Sequence, residues 1–451
     1  MGRKVSLRNF ISELEKDAEL ITIKKELSTK YEIAAVIKKF DNGPALFFKK
    51  IKQKRGSIVA NICGTRERVC KALGTSIDKL HKKVSNAIKN PKKPKLTEFL
   101  LSKYAQNPPN INSLPILTHY EKDPGPYITA GIVFARDPET GIQNASIHRM
   151  LVIDEKHLAI RVVPRHLHRI ITAYWKEKRD VPVAIAIGTH PAVLIAASSP
   201  APYGVNELHV ANALLKESME VAICPNTELE VPTNAEIIIE GKILYGKEVD
   251  EGPFVDLTGT YDVVRKQPVI KIEKMYFNRD NFIYQAILPG GSEHKLLMGL
   301  PREAQIWTAV KSVVPDVRGV HLTLGGCGWL HAVVSIKKQT DGDAKNVILA
   351  AFAAHPSLKH VVVVDDDIDP YDMEEVEWAI ATRFNASRDL VIIQNVRGSS
   401  LDPSADQITL MTTKMGIDAT RPFTKPKEKF EKAKIPIEEK IDINNLTEED
   451  N

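Results

Sequence analysis

Apolar residues recur at helical spacing in some stretches of the chain and alternate in others, and the changes of period divide it into parts. Between Leu7 and about Leu100, helix-spaced patterns at Asn9 to Leu20, Tyr31 to Phe40 and Arg66 to Leu73 alternate with strand patterns at Ala45 to Lys49 and Ser57 to Asn61. A small α/β domain over residues 1–115 is the expectation, closed by the Pro-rich run Asn107-Pro108-Pro109-Asn110. Strand patterns then dominate: Gly131 to Ala135, His148 to Ile153, Leu158 to Val163, Val183 to Ile187, Ala235 to Lys242 and Val269 to Met275. Two helix patterns interrupt them, Arg165 to Lys178 and Glu207 to Glu217, so residues 116–305 predict a barrel or sandwich with helices packed outside. Over residues 306–424, Val347 to Ala354, His360 to Asp365, Met373 to Phe384 and Asp389 to Gln394 read as βα units. From Lys425 the chain is charged and poor in apolar residues, a tail over 425–451 expected to be flexible or draped over a neighbour. The fold class is therefore α/β with α+β character.

With 451 residues, 43% apolar and 26% charged, the chain is long enough for two or three domains with a large core. No apolar run approaches the roughly eighteen residues of a membrane span, and the charged start does not read as a secretion signal, so a cytoplasmic protein is expected. Cys63, Cys70, Cys224 and Cys327 have no CxxC spacing and read as buried thiols rather than a zinc ribbon or a disulfide frame. The net charge of +5 concentrates in the first hundred residues, most densely at Lys89-Asn90-Pro91-Lys92-Lys93-Pro94-Lys95. That run reads as a solvated linker; nucleic-acid binding through this basic region is the alternative from another class, but interleaved aromatics are lacking.

Candidate chemistry lies in the middle part. Glu251-Gly252-Pro253-Phe254-Val255-Asp256 holds two carboxylates either side of a backbone stiffened by proline, which suits proton transfer and also suits a plain turn. In Asn144-Ala145-Ser146-Ile147-His148-Arg149, an extended chain sends Asn144, Ser146 and His148 one way and Ile147 and Arg149 the other, whereas a turn would gather them. Pro164-Arg165-His166 opens a helix pattern whose free N–H groups favour an anion such as phosphate. Glu217, at the end of the second helix pattern, reads as a solvated acid taken alone; with Asn144 and a phosphate oxygen it would complete a set of hard oxygen ligands for Mg²⁺ or Mn²⁺.

Six separate motifs together resemble the UbiD family of decarboxylases. They are Asn144 to Arg149, Arg161 to His166, Lys216-Glu217, Glu251 to Asp256 with Thr258-Gly259 behind it, Lys359 to Asp367, and Lys414-Met415-Gly416-Ile417-Asp418-Ala419-Thr420. The resemblance spans about Pro126 to Pro422 and implies a small N-terminal α/β domain, a central split β-barrel flavin-binding domain and a C-terminal α/β oligomerisation domain. It implies prenylated FMN as cofactor, lined by Ile147, His148, Arg149, Arg161, Val162, Val163, His166 and Leu167, with Lys414 near its phosphate. Asn144 and Glu217, with His166, would bind manganese or magnesium, with K⁺ as an additional candidate ion. Arg149, Glu251 and Asp256 would form the charged network over the reactive face, Asp256 being the proton donor. Members of the family vary between Glu and Asp at that position.

A cofactor acting as electron sink is what such a reaction demands, since no ordinary side chain stabilises the electron pair left when CO₂ departs. Archaeal members of this length with the Asp-type motif resemble enzymes that convert trans-anhydromevalonate 5-phosphate to isopentenyl phosphate; an aromatic acid of the polyprenyl hydroxybenzoate type is the alternative. A phosphorylated, unsaturated carboxylic acid needs a cationic clamp, for which Lys295, in Gly290 to Lys295, and Arg302 are candidates on what reads as a loop. The implied partners are a flavin prenyltransferase and further copies of the chain, as homodimer or homohexamer, with no membrane and no nucleic acid. Asp365 to Asp369 reads as capping and interface contacts, and Gly325-Gly326-Cys327-Gly328 as a tight turn.

Overall fold

The computed structural model describes residues 5–99, 101–433 and 435–437. In the N-terminal part, helix Leu7–Lys16 is capped by the Ser6 side chain, which accepts from the Asn9 N–H, and buries Leu7, Phe10, Ile11 and Leu14. Its sheet is made of Leu20–Ile23, Ala45–Phe48 and Ser57–Ala60, and the fourth strand, Ile283–Ala286, arrives from more than two hundred residues away to pair parallel with Ser57–Ala60. The helix and strand patterns named for this part are present with ends moved by a few residues. Helix Ile77–Lys89 is an addition to them.

A nine-stranded sheet curled into a half-barrel forms the centre. Its path runs Tyr127–Ile128, Met150–Val152, His157–Ile160, Arg265–Asn278, Ile237–Glu251, Val181–Ile187, Ile132–Arg136 and Gln143–Ile147, and Tyr104–Asn107 pairs on Arg265–Asn278. One face is packed by an isoleucine- and valine-rich cluster that includes Leu167 and Ile170 of helix His166–Lys176; helices Pro191–Ala197 and Glu207–Leu214 bury Val193, Leu194, Leu208 and Val210 in a second cluster. The Lys89 to Lys95 run is fastened down: the Lys92 N–H donates to the His209 carbonyl, and Lys95–Thr97 pairs with Glu220–Ile223.

Strands Ile237–Glu251 and Arg265–Asn278 are the longest in the described residues, and their antiparallel register ends at Glu251 opposite Arg265. Gly241 is required at the bulge between them, because a Cβ there would lie 2.2 Å from the Lys271 carbonyl oxygen. Beyond Glu251 the chain passes a cis Gly252–Pro253 bond into a second short pair, Phe254–Val255 against Tyr261–Asp262. Three acids, Glu251, Asp256 and Asp262, therefore lie on one hairpin tip.

The expected loop around Lys295 and Arg302 is instead a helix of 19 residues, Ser292–Val310, with Pro301 inside it. Pro301 has no N–H to give the Leu297 carbonyl; the Ser198 hydroxyl donates to that oxygen instead at 2.7 Å, which removes the main cost of an interior proline. This helix leads to a five-stranded sheet ordered Val317–Leu322, His331–Ile336, His360–Asp365, Met411–Ala419, Leu390–Arg397. Asp365 and Asp367 are spoken for by Arg383, whose guanidinium donates to both at 2.8 to 2.9 Å. Gly325 to Gly328 is a turn, and Cys327 within it is half-buried rather than buried like the other three thiols. At the start of the tail Phe430 is buried and its carbonyl accepts from Arg383. The tail expectation for 434 and 438–451 falls outside the described residues. No helix among the described residues is long and apolar enough to cross a membrane.

Candidate active site

Arg149 follows strand Gln143–Ile147 and reaches across to the hairpin tip. Its Nε and Nη2 donate to the two oxygens of Glu251 at 2.8 and 3.0 Å, Nη2 donates also to Asp262 at 3.2 Å, and Nη1 lies 3.5 Å from Asp256. Glu251 is fully buried, whereas the Asp256 side chain keeps 26% of its surface. Burial works against the Arg149 charge, and the Glu251 bonds outweigh it, so the guanidinium is raised above its ordinary value. The face of the guanidinium sits 5.1 Å from the Phe254 ring, which packs on Tyr127 at 3.9 Å between centroids. The Tyr127 hydroxyl accepts from the Gly252 N–H, and Gly252 has φ +98°, a conformation that glycine adopts freely.

Asp256 accepts from the Leu257 N–H with Oδ1 at 2.7 Å. Gly290, where a Cβ would come 3.1 Å from the Asp256 carbonyl oxygen, brings the start of helix Ser292–Val310 against this turn. His294 enters there: its Nδ1 accepts from the Gly290 N–H, and burial holds the imidazole below its ordinary value against the pull of the Asp256 charge. The arrangement offers one arginine edge and one half-open acid side by side, with a neutral imidazole near the acid, a geometry for gripping a carboxylate and moving a proton.

Asn144, Ser146 and His148 do share a face, as an extended strand requires: the Ser146 hydroxyl donates to the Asn144 oxygen at 3.2 Å and contacts His148 Nε2 at 2.9 Å. Burial holds His148 down to about 4, so it is a neutral bridge, with Nδ1 against the Arg161 carbonyl. The acid beside Asn144 is Glu207, not Glu217. Glu207, at the start of helix Glu207–Leu214, is buried and accepts from Asn144 Nδ2 at 2.9 Å and from the Ala145 N–H at 2.7 Å, and His166 Nδ1 lies 3.7 Å from its Oε1. Glu217 lies beyond the other end of that helix, exposed, with φ +64° and its N–H on the Asn212 carbonyl. From Glu207 to the last helical residue, Leu214, the helix rises about 10 Å, and Glu217 lies beyond it, so both acids cannot face Asn144. Buried Asn144 and Glu207, with the partly exposed His166, are an oxygen and nitrogen donor set that fits a divalent cation.

The expected cofactor-lining residues spread along the adjoining surface. Ile147 and Val163 are partly exposed, Val162 is buried with its N–H on Gln267, and Leu167 turns its side chain into the core, leaving its first-turn N–H without a helical partner. Arg161 lies 3.5 Å from Asp262. Lys414 is buried and donates to the Pro356 carbonyl, and burial pushes it down to about 8. Burial holds His355 down to about 3, and the charges of Arg302, Lys414 and Arg165 act in the same direction. Arg302 itself is pushed down to about 10 by burial and by Arg165. Lys295 instead donates to the Leu324 carbonyl.

Glu207, Asp262 and His294 were not among the sequence-derived candidates. Glu207 carried a signal, since it opens the same helix pattern that Glu217 closes.

Three family models match in order: the N-terminal, Rift-related and C-terminal domains of 3-octaprenyl-4-hydroxybenzoate carboxy-lyase, over residues 11–88, 92–292 and 295–419. The anhydromevalonate phosphate decarboxylase of Methanothermobacter thermautotrophicus is 47% identical over 94% of this chain and 99% of its own. The protein of the same name from Methanocaldococcus jannaschii is 50% identical over 90% of this chain and 95% of its own. Among solved structures, the UbiD-class enzyme HmfF from Pelotomaculum thermopropionicum, in complex with FMN, superimposes with a TM-score of 0.95 at 40% identity, covering 98% of this chain and 99% of that one. An apo 3,4-dihydroxybenzoic acid decarboxylase from Klebsiella pneumoniae gives 0.90 at 26% identity, again covering 98% of this chain and 99% of that one. With all three domain models matched in order and the charged network assembled on the hairpin tip, the chain belongs to the UbiD family of carboxy-lyases.

Proposed function

We propose that this enzyme is a prenylated-FMN-dependent decarboxylase that converts trans-anhydromevalonate 5-phosphate to isopentenyl phosphate and CO₂. The observation that carries the reading is Arg149, locked on Glu251 by two bonds while its Nη1 edge stays within 3.5 Å of the half-open Asp256. The substrate is taken from relatives of that name that match nearly the whole chain. The cofactor is taken from solved neighbours described with FMN and with prFMN.

When bound, the cofactor supplies the electron sink for the pair released as the carbon–carbon bond to CO₂ breaks. Arg149 binds the substrate carboxylate through Nη1, Glu251 fixes the guanidinium, and Asp256 hands a proton to the carbon that lost CO₂. Asn144, Glu207 and His166 would hold Mn²⁺ or Mg²⁺, whose positive charge would offset that of a phosphate, with K⁺ as a further candidate ion. Arg302, on the helix that also carries His294, is the candidate cation for a substrate phosphate. A flavin prenyltransferase provides the cofactor, and copies of the chain associate through the C-terminal domain.

The test is protein produced alongside a flavin prenyltransferase, checked for a flavin-like spectrum and assayed for CO₂ release from anhydromevalonate phosphate, its dephosphorylated form and a panel of aromatic acids. Turnover of the phosphorylated acid above all others is expected. Preference for an aromatic acid overturns the substrate, and salt-sensitive DNA binding without any flavin spectrum overturns the reaction class.

A further inference from the structure

Asp262 touches the catalytic arginine, yet no part of the reaction outlined above employs it. It lies opposite Phe254 in the short strand pair at the hairpin tip, with its side chain 12% exposed. One oxygen, Oδ1, accepts from the Val263 N–H at 2.9 Å and from Arg265; the other accepts from Arg149 Nη2 at 3.2 Å and lies 3.5 Å from Arg161. Burial opposes the Asp262 charge, and Arg265, Arg149 and Arg161 overcome that and hold the carboxyl below its usual range.

A guanidinium has five N–H donors. In Arg149, Nε and one N–H of Nη2 serve Glu251, and the second N–H of Nη2 serves Asp262. Nη1 alone is uncommitted, since 3.5 Å to Asp256 exceeds a normal N–H···O bond. Take Asp262 away and Nη2 has a donor to spare, with Asp256 the adjacent carboxylate able to take it. Arg161 would also lose its counter-charge while facing Arg149 and Arg265, both of which already lower it together with burial.

We propose that Asp262 is a positioning residue for the decarboxylation: its carboxylate ties Arg149 to Arg161 and Arg265, keeps Nη2 off Asp256 and so leaves Asp256 free to pass its proton. This rests on the assignment of Arg149 and Asp256 given under the proposed function. The mechanism predicts a defect in proton delivery rather than in substrate capture.

The experiment compares wild-type holoenzyme, made with a flavin prenyltransferase, with Asp262→Asn, Asp262→Glu, Arg161→Gln and the Asp262→Asn/Arg161→Gln pair. For Asp262→Asn, kcat is expected to fall about ten- to a hundredfold, the range for one hydrogen bond to a charged group, with KM within about threefold. The flavin spectrum and melting temperature are expected to match wild type, the solvent deuterium effect on kcat to rise, and Asp262→Glu to recover part of the loss. The two substitutions should be non-additive, because both act on one ion network. Wild-type turnover together with an unchanged kcat in Asp262→Asn overturns the proposal and leaves the decarboxylase reading standing. A loss that follows a lowered melting temperature, with no rise in the isotope effect, assigns Asp262 to hairpin stability and overturns it equally.

Discussion

Arg66 and Arg149 each grip a buried glutamate through two guanidinium nitrogens, and the surroundings make one pair structural and the other chemical. Arg66 donates to both oxygens of Glu303 at 2.7 Å, and Glu303 accepts also from the Leu322 N–H at 2.8 Å and contacts His81 Nε2 at 3.1 Å. The Tyr371 ring covers the Arg66 face at 4.7 Å. No second acid is paired with Arg66 among the described residues, and the cluster joins helices Arg66–Leu73 and Ile77–Lys89 to helix Ser292–Val310. Arg149 holds Glu251 through Nε and Nη2 rather than through both terminal nitrogens, two further acids crowd that guanidinium, one of them half-open, and Nη1 is left without a bonded partner. A closed network fixes domains; an unfilled one has room for a substrate.

The largest separation between the two clusters is expected from Asp256→Asn, which should lower kcat by about 10²- to 10⁴-fold, the usual share of a general acid, with the flavin spectrum retained. A near-normal rate would remove Asp256 from the chemistry. Arg66→Met should do the reverse. Leaving Glu303 buried and unpaired should cost about 3–5 kcal/mol in denaturant unfolding, with kcat per folded molecule unchanged. Equal activity losses at Arg66 and at Asp256 would dissolve the contrast.

A smaller effect is expected at the metal set. Glu207→Gln should raise the manganese concentration needed for cofactor retention about 10- to 100-fold, while Glu217→Gln leaves it where it was. The same titration giving the larger shift for Glu217 would reverse the assignment. The smallest effect concerns pH. Burial opposes the Glu303 charge, but Arg66 and His81 hold it far below its ordinary value of 4.5. Because the folded value is depressed, the stability it contributes is whole above 4.5 and is lost as pH falls below that. Unfolding free energies of wild type and Glu303→Gln should therefore converge in acid; a gap that widens there would contradict the ion pair.

Legibility followed the locality of the interactions. Glu251 and Asp256 could be singled out beforehand because they share one rigid hexapeptide, whereas Arg149 joined them only through the family resemblance. The strands His360–Asp365 and Val181–Ile187 stood out because runs of valine and isoleucine suit a buried sheet. Glu207 lost to Glu217 because both are acids at the ends of one helix pattern, and only the docking of that helix decides which end meets Asn144. Helix Ser292–Val310 was hidden by Pro301, whose cost is offset by a hydroxyl a hundred residues away in sequence. Asp262 was missed because only Arg265 lies near it in sequence; Arg149 and Arg161, which tie it to the site, come from other strand ends.

The sequence by itself determined the period of each element, the stiff spacer between two acids and the family the motifs resemble, because these depend on neighbours within a few residues. Tertiary structure decided which acid faces Asn144, that Ile283–Ala286 completes the N-terminal sheet, and that three carboxylates share one guanidinium. Those outcomes depend on the curl of the central sheet and on how its helices dock, which bring together groups that no spacing along the chain relates.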